Sequence, residues 1–194
     1  MSNKQRVTPI TRVVEGVAQP TADEVVIEAP LSMTLVFGPT QKRQVKSIAV
    51  TMRTPGEDEV LCAGFLLTEG IVDTGDAIDE ITVENLGNDV ARAQIQIAPG
   101  HPLDMQKIER NIYTNSSCGM CSKSTLESIE VSAPSLETQA GPKLSAALLD
   151  RLPEQLNQAQ RSFNRTGGIH AAALIDQSGD CIDIQEDVGR HNAV

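Results

Sequence analysis

The sequence predicts a β-rich α+β module followed by an α/β module. Three features predict it. Before residue 98, apolar and polar alternation marks two strand pairs, the first interrupted by a glycine-bearing turn. A single capped helical pattern lies between them, and after residue 144 the period lengthens to helical spacing before a short hairpin closes the sequence.

Residues 1–20 are polar, carry Pro9 and Pro20 and show neither period, which reads as a flexible tail or an irregular lead-in strand. Val25-Val26-Ile27 is a short branched run, and Leu31, Met33, Leu35 and Phe37 then alternate with smaller or polar residues. Gly38-Pro39-Thr40-Gln41 reads as a hairpin turn into a second strand over 44–52. The clearest helix follows. Thr54 can cap it, Pro55 fits the first helical position, and Glu57 three residues after Thr54 completes a capping box ahead of Val60, Leu61, Phe65, Leu66 and Leu67. Gly70 stops it.

Residues 81–86 and 91–97 form a further strand pair, with Ala93, Ile95 and Ile97 on one face of the second strand. A boundary falls between 98 and 116, so the chain divides into a lead-in (1–20), an N-terminal domain (21–110) and a second domain (111–194). In the second, 124–131 is weakly helical and 132–142 is a Pro/Ser-rich linker. Residues 144–163 are helical on both sides of Pro153, which is expected to start a second helix. Gly167-Gly168 opens a strand over 169–176, and Gln177-Ser178-Gly179-Asp180 turns it into a partner over 181–185.

Composition narrows the function classes. With 194 residues and a 40% hydrophobic fraction the chain can bury an ordinary core. Three Phe, one Tyr and no Trp argue against base-stacking nucleic-acid binding. A net charge of −10 repels phosphate backbones and anionic lipid. There is no apolar run of about eighteen residues and no secretory h-region at the N-terminus, so no membrane insertion is expected. The cysteines, Cys62, Cys118, Cys121 and Cys181, are one close pair and two isolated residues, a usage that suits a reducing cytoplasm.

The pair is the first candidate site. Asn115-Ser116-Ser117-Cys118-Gly119-Met120-Cys121-Ser122-Lys123 sets two thiols three residues apart among small and polar neighbours, the composition of an exposed loop. A helix starting near Ser122 would bring its positive end to Cys121, and Lys123 adds charge, so thiolate character should rise. Such a thiolate can take the outer sulfur of a donor persulfide, with its neighbour as resolving thiol. The spacing also suits a structural pair, a redox site or half of a zinc site. Zinc would need ligands such as His170, His191 or Cys181 from far along the chain. Cys62, on the apolar helix face, and Cys181, at a strand start, read as small core filler.

Two further clusters are rich in polar groups. Arg165-Thr166-Gly167-Gly168-Ile169-His170 combines a cation, two glycines and a histidine at the mouth of a strand: Arg165 can pair with an anion, and His170 can donate a hydrogen bond. The same residues also suit a plain helix C-cap followed by a core histidine. Glu186-Asp187-Val188-Gly189-Arg190-His191-Asn192 follows the last strand, and a helix beginning near Val188 would make an anion site there; a solvated charge cluster is the alternative.

Taken in order, these three stretches resemble the signatures of the FdhD family of formate dehydrogenase accessory sulfurtransferases. The resemblance extends to Glu28-Ala29-Pro30-Leu31-Ser32, Arg53-Thr54-Pro55-Gly56-Glu57 and Gly64-Phe65-Leu66-Leu67-Thr68-Glu69-Gly70, and spans residues 24–194. It implies a homodimeric cytoplasmic protein that receives sulfur from a cysteine desulfurase. The sulfur passes to molybdenum bis(molybdopterin guanine dinucleotide) for formate dehydrogenase, with that cofactor as substrate and no tightly bound metal. Cys118 would be the persulfide carrier, Cys121 its partner, and His170 and Arg190 cofactor-binding residues. The second domain is expected to have a cytidine-deaminase-like fold, incomplete here because family members continue well past the position of Val194. Deaminase activity is not expected, since the H-x-E and P-C-x-x-C segments it needs are missing. The alternative function is a non-catalytic metal-binding or molybdenum-cofactor chaperone module using the same thiols as ligands.

Overall fold

The computed structural model describes residues 4–105, 108 and 144–194. Its first half is built on a four-stranded mixed sheet. Strands β3 (Ala29–Phe37) and β4 (Gln44–Arg53) form an antiparallel hairpin; β5 (Ile78–Gly87) and β6 (Val90–Ile97) form another. The two hairpins join through parallel pairing of β3 with β6, giving the order β4-β3-β6-β5. The register sets Leu31 beside Ala91, Met33 beside Ala93 and Leu35 beside Ile95, so the period-2 alternation of both strands turns one apolar row inward. Leu31, Met33, Leu35, Ile95 and Ile97 are all fully buried, each contributing about 1.5–3 kcal/mol of transfer free energy.

Helix α1 (Asp58–Thr68) lies against this row with Cys62 and Leu66, four residues apart and both fully buried. Asp58 and Glu59 in its first turn complement the helix dipole. At its end Gly70 adopts φ +59°, which lets its N–H reach Leu67 O and that of Ile71 reach Leu66 O. The turn between β5 and β6 places Asn88 and Asp89 at φ 51° and 63°, residue types that tolerate the left-handed region a two-residue hairpin loop requires.

The start of the chain departs from expectation. Instead of an irregular lead-in, β1 (Gln5–Val14) and β2 (Val17–Val26) pair along their whole length as a separate ribbon. Pro9 lies opposite Ala22 and Pro20 opposite Thr11, and these prolines disguise the strand period in the sequence. The base of the ribbon is tied by Ile27 N–H to Lys4 O (3.0 Å) and by the ion pairs Lys4–Glu57 (3.2 Å) and Arg6–Asp89 (2.6 Å).

The described residues of the second half form two helices and a hairpin: α2 (Ala146–Ala159), α3 (Arg161–Thr166), β7 (His170–Ile175) and β8 (Cys181–Asp187). Ser145 caps α2 by accepting Leu148 N–H on Oγ at 3.2 Å. Pro153 does not start a helix but lies exposed inside α2, and the break comes at Gln160. The carboxylate of Glu186 accepts the N–H groups of Ser162 and Phe163 at 2.9–3.1 Å, filling the orphan donors that begin α3. Gly167 ends α3 at φ +66°, the C-cap weighed for this segment. Cys62 is core filler as expected, whereas Cys181 is exposed: it lies where the β7–β8 register shifts, and its side chain turns back to Asp183 O. No helix among the described residues is long and apolar enough to cross a membrane.

Candidate functional site

The two halves meet where β4 ends and β8 ends, and a buried carboxylate makes the junction. Asp187 Oδ2 accepts the N–H of Thr54 at 2.8 Å, and Oδ1 accepts those of Gly189 (2.7 Å) and of the Asn192 amide (2.9 Å). Thr54 reciprocates, its Oγ1 accepting Val188 N–H at 3.0 Å, while the Asn192 amide also donates to Met52 O at 2.9 Å. Thr54 and Asp187 are 4% and 7% exposed. Burial pushes the Asp187 carboxyl above its usual range, opposed by the N–H donors of Gly189 and Thr54, the Asn192 amide and the charge of Arg53.

This arrangement corrects the capping box. The residue preceding α1 is Glu57, with no side-chain cap, and the Thr54 hydroxyl serves the distant segment instead of its own helix. Beside it, Arg53 is almost wholly enclosed. Its Nε and Nη2 bind Asp58 at 2.7 and 3.0 Å, and Nη1 donates to Ala29 O and Asp89 O at 3.1 and 2.9 Å. The guanidinium thus braces β3, the β5–β6 turn and the start of α1, with four of its five N–H donors engaged in these bonds.

Next to the junction lies a cleft of about 770 Å³, a volume suited to a sizeable organic ligand. One wall is apolar: Val50 and Met52 of β4 with Val60, Gly64 and Leu67 of α1. The other is polar and carries His170, Arg190, His191 and Asn192. His170 opens β7 directly opposite Asp187, which brings the histidine of one sequence cluster to the turn that holds Arg190 of the other. Both are exposed and line the cleft, and Arg190 makes no ion pair among the described residues. Five acids among the described residues also line the cleft: Glu57 is held by Lys4, Glu186 by the start of α3 and Asp187 by the junction, while Glu28 and Glu69 stand on the β4–α1 side.

Other expectations fare differently. Arg165 is in the last turn of α3 and does not line the cleft. The helix expected from Val188 is a single turn, with Asn192 and Ala193 N–H groups bound to Gly189 O at 3.0 and 3.2 Å. Cys118 and Cys121 lie outside the described residues. Of the described thiols, Cys62 is buried and pushed up to about 12, first by desolvation and then by Asp58 and Glu59, so it is not a nucleophile. The sequence reading missed the roles of Thr54, Asp187 and Asn192 at the junction. The available signal was an acid and an amide flanking a glycine at positions 187, 189 and 192, but their partner lies 133 residues away.

Comparison with known proteins agrees with the resemblance drawn from the motifs. The model of the FdhD/NarQ family matches residues 28–194. Proteins named sulfur carrier protein FdhD are similar over most of this chain. That of Streptomyces avermitilis is 40% identical over 192 residues, 95% of this chain and 65% of the relative. That of Mycolicibacterium paratuberculosis is 38% identical over 200 residues, covering 100% and 69%. The chain therefore spans about two-thirds of the length of these curated relatives. The fold is similar to a crystal structure of a proposed formate dehydrogenase accessory protein from Desulfotalea psychrophila. The TM-score is 0.67 at 22% identity, over 98% of this chain and 66% of that one.

Proposed function

The chain belongs to the FdhD/NarQ family, and on that premise we propose that it carries sulfur for the maturation of formate dehydrogenase. Cys118 thiolate attacks the outer sulfur of a persulfide on a cysteine desulfurase. Cys118–S⁻ and R–S–SH give Cys118–S–SH and the donor thiolate R–S⁻. Delivery follows when Cys121 thiolate attacks Cys118 Sγ, releasing HS⁻ to the acceptor and leaving a Cys118–Cys121 disulfide. A dithiol reductant reopens that disulfide by exchange.

The acceptor in this reading is molybdenum bis(molybdopterin guanine dinucleotide), held as substrate. The observation that carries it is the cleft in which His170 and Arg190, from separate sequence clusters, face an apolar wall. Arg190 pairs with an anionic oxygen of the nucleotide, His170 donates a hydrogen bond, and the apolar wall takes the flat part of the ligand. The second half, α2 to β8, is read as the first part of a cytidine-deaminase-like domain, and the working protein as a homodimer.

Calorimetric titration with guanosine diphosphate tests the cleft. Arg190→Ala should weaken binding by roughly tenfold or more, the scale of one charge-assisted hydrogen bond. Equal affinity in wild type and Arg190→Ala would overturn the assignment. One sulfur gained on Cys118 after exposure to a desulfurase and cysteine tests the carrier step.

A further inference from the structure

Arg190 and His191 sit between two pinned residues. On one side the Gly189 N–H is held by Asp187 Oδ1 at 2.7 Å; on the other the Asn192 amide binds that same oxygen and Met52 O, each at 2.9 Å. The turn is closed on itself by Asn192 and Ala193 N–H groups on Gly189 O, and its entrance is fixed by Val188 N–H on Thr54 Oγ1. There is no slack at the glycine, since a methyl at Gly189 would lie 2.8 Å from Asn192 Nδ2 and 3.2 Å from Asp187 Oδ1. The polar atoms that form the turn face inward, and the two residues between the pins are exposed along the cleft.

We propose that Asp187 is a positioning residue: acting through Thr54, Gly189 and Asn192, it fixes Arg190 and His191 at the cleft rim, so that both meet one anionic group of the ligand. This rests on the reading of the cleft as a nucleotide site. A carboxylate is suited to the task because it accepts three N–H donors at once on two oxygens, which an amide of the same shape cannot do. Thr54 ties the turn to the first half of the chain, so the apolar wall on α1 and the polar wall on the turn keep a fixed separation. Without the clasp the turn samples other conformations, and apparent affinity falls by the fraction of time it is competent. Order for about a tenth to a hundredth of the time costs roughly 10-fold to 100-fold.

The test pairs hydrogen exchange over residues 188–193 with guanosine diphosphate affinity, in wild type, Asp187→Asn, Thr54→Val, Thr54→Ser and Arg190→Ala. Thr54→Val removes the acceptor for Val188 N–H and Thr54→Ser keeps it, so this pair reports on the clasp even where Asp187→Asn fails to fold. The proposal expects faster exchange and weaker binding in Asp187→Asn and Thr54→Val, with Thr54→Ser close to wild type. In Arg190→Ala it expects weaker binding with unchanged exchange. Unchanged exchange in Thr54→Val overturns the clasp, and faster exchange with wild-type affinity overturns its positioning role. A wild-type protein that takes up no guanosine diphosphate overturns the nucleotide reading, while the exchange data still decide the clasp.

Discussion

Replacing Arg53 by alanine removes four hydrogen bonds from a site that water scarcely reaches. The Arg53 side chain is 2% exposed, its partner Asp58 side chain 13%, and the lost bonds run to both carboxylate oxygens, Ala29 O and Asp89 O. Removing one partner of a buried ion pair costs about 3–5 kcal/mol, because the other charge stays behind without compensation. Each carbonyl left without a donor adds about 1–3 kcal/mol in isolation. Water entering the vacated space offsets part of both, and Asp58 is close enough to the surface to be partly hydrated. A net loss of about 4 kcal/mol follows. For a chain of this size that lowers Tm by roughly 8–16 °C. Urea unfolding followed by circular dichroism measures it. Arg53→Lys keeps the charge but cannot make the two-pronged contact, so it should fall between wild type and alanine. A loss below about 1 kcal/mol for Arg53→Ala would refute the claim that this guanidinium braces the first half of the chain.

Two further effects should be measurable. The buried Cys62 thiol stays protonated to about 12, whereas in the unfolded chain it ionises near 9.0. The native state therefore holds the extra proton between those values, and stability falls as pH rises through that window, by roughly 4 kcal/mol in full. Cys62→Ala removes this component, so the unfolding free energies of the two proteins should converge as pH rises toward about 12; parallel curves would contradict it. Two glycines should respond in opposite directions. Gly189→Ala forces a methyl into the Asn192 amide and should cost about 1–3 kcal/mol. Gly64→Ala fills open space on α1 and should stabilise by up to about 1 kcal/mol through helix propensity. Thermal unfolding of the pair shows whether the signs differ.

The sheet was legible because its signals are local. Alternation in 31–37 and 91–97, with turn residues after the first of these strands, suffices to predict a hairpin and a second strand pair, and both are present. Their parallel union through β3 and β6 was not predicted, since nothing within either hairpin encodes it. The β1–β2 ribbon was hidden by Pro9, Pro20 and a polar composition, although strands exposed on both faces need no apolar alternation. Thr54 shows a local signal outcompeted by a distant one. Thr-x-x-Glu ahead of an apolar run is a sound cap signature, yet the hydroxyl is drawn to Val188 because Asp187 holds the Thr54 N–H. Pro153 misled similarly: a proline favours a helix start, yet here it lies inside α2, where it cannot donate to the carbonyl four residues back and the helix runs on to Ala159. The candidate site was half legible: His170 and Arg190 were singled out for their chemistry, but only the fold shows that one cleft holds both.

The central claim is that Cys118 carries sulfur, and intact-protein mass spectrometry under non-reducing conditions tests it most directly. Wild type, Cys118→Ala, Cys121→Ala and Cys181→Ala are each incubated with a cysteine desulfurase and cysteine. The account predicts one added sulfur in wild type and Cys181→Ala, none in Cys118→Ala, and a persistent adduct in Cys121→Ala, which lacks the resolving thiol. An adduct that survives in Cys118→Ala, or a wild type that gains no sulfur and retains a metal through both thiols, would contradict it.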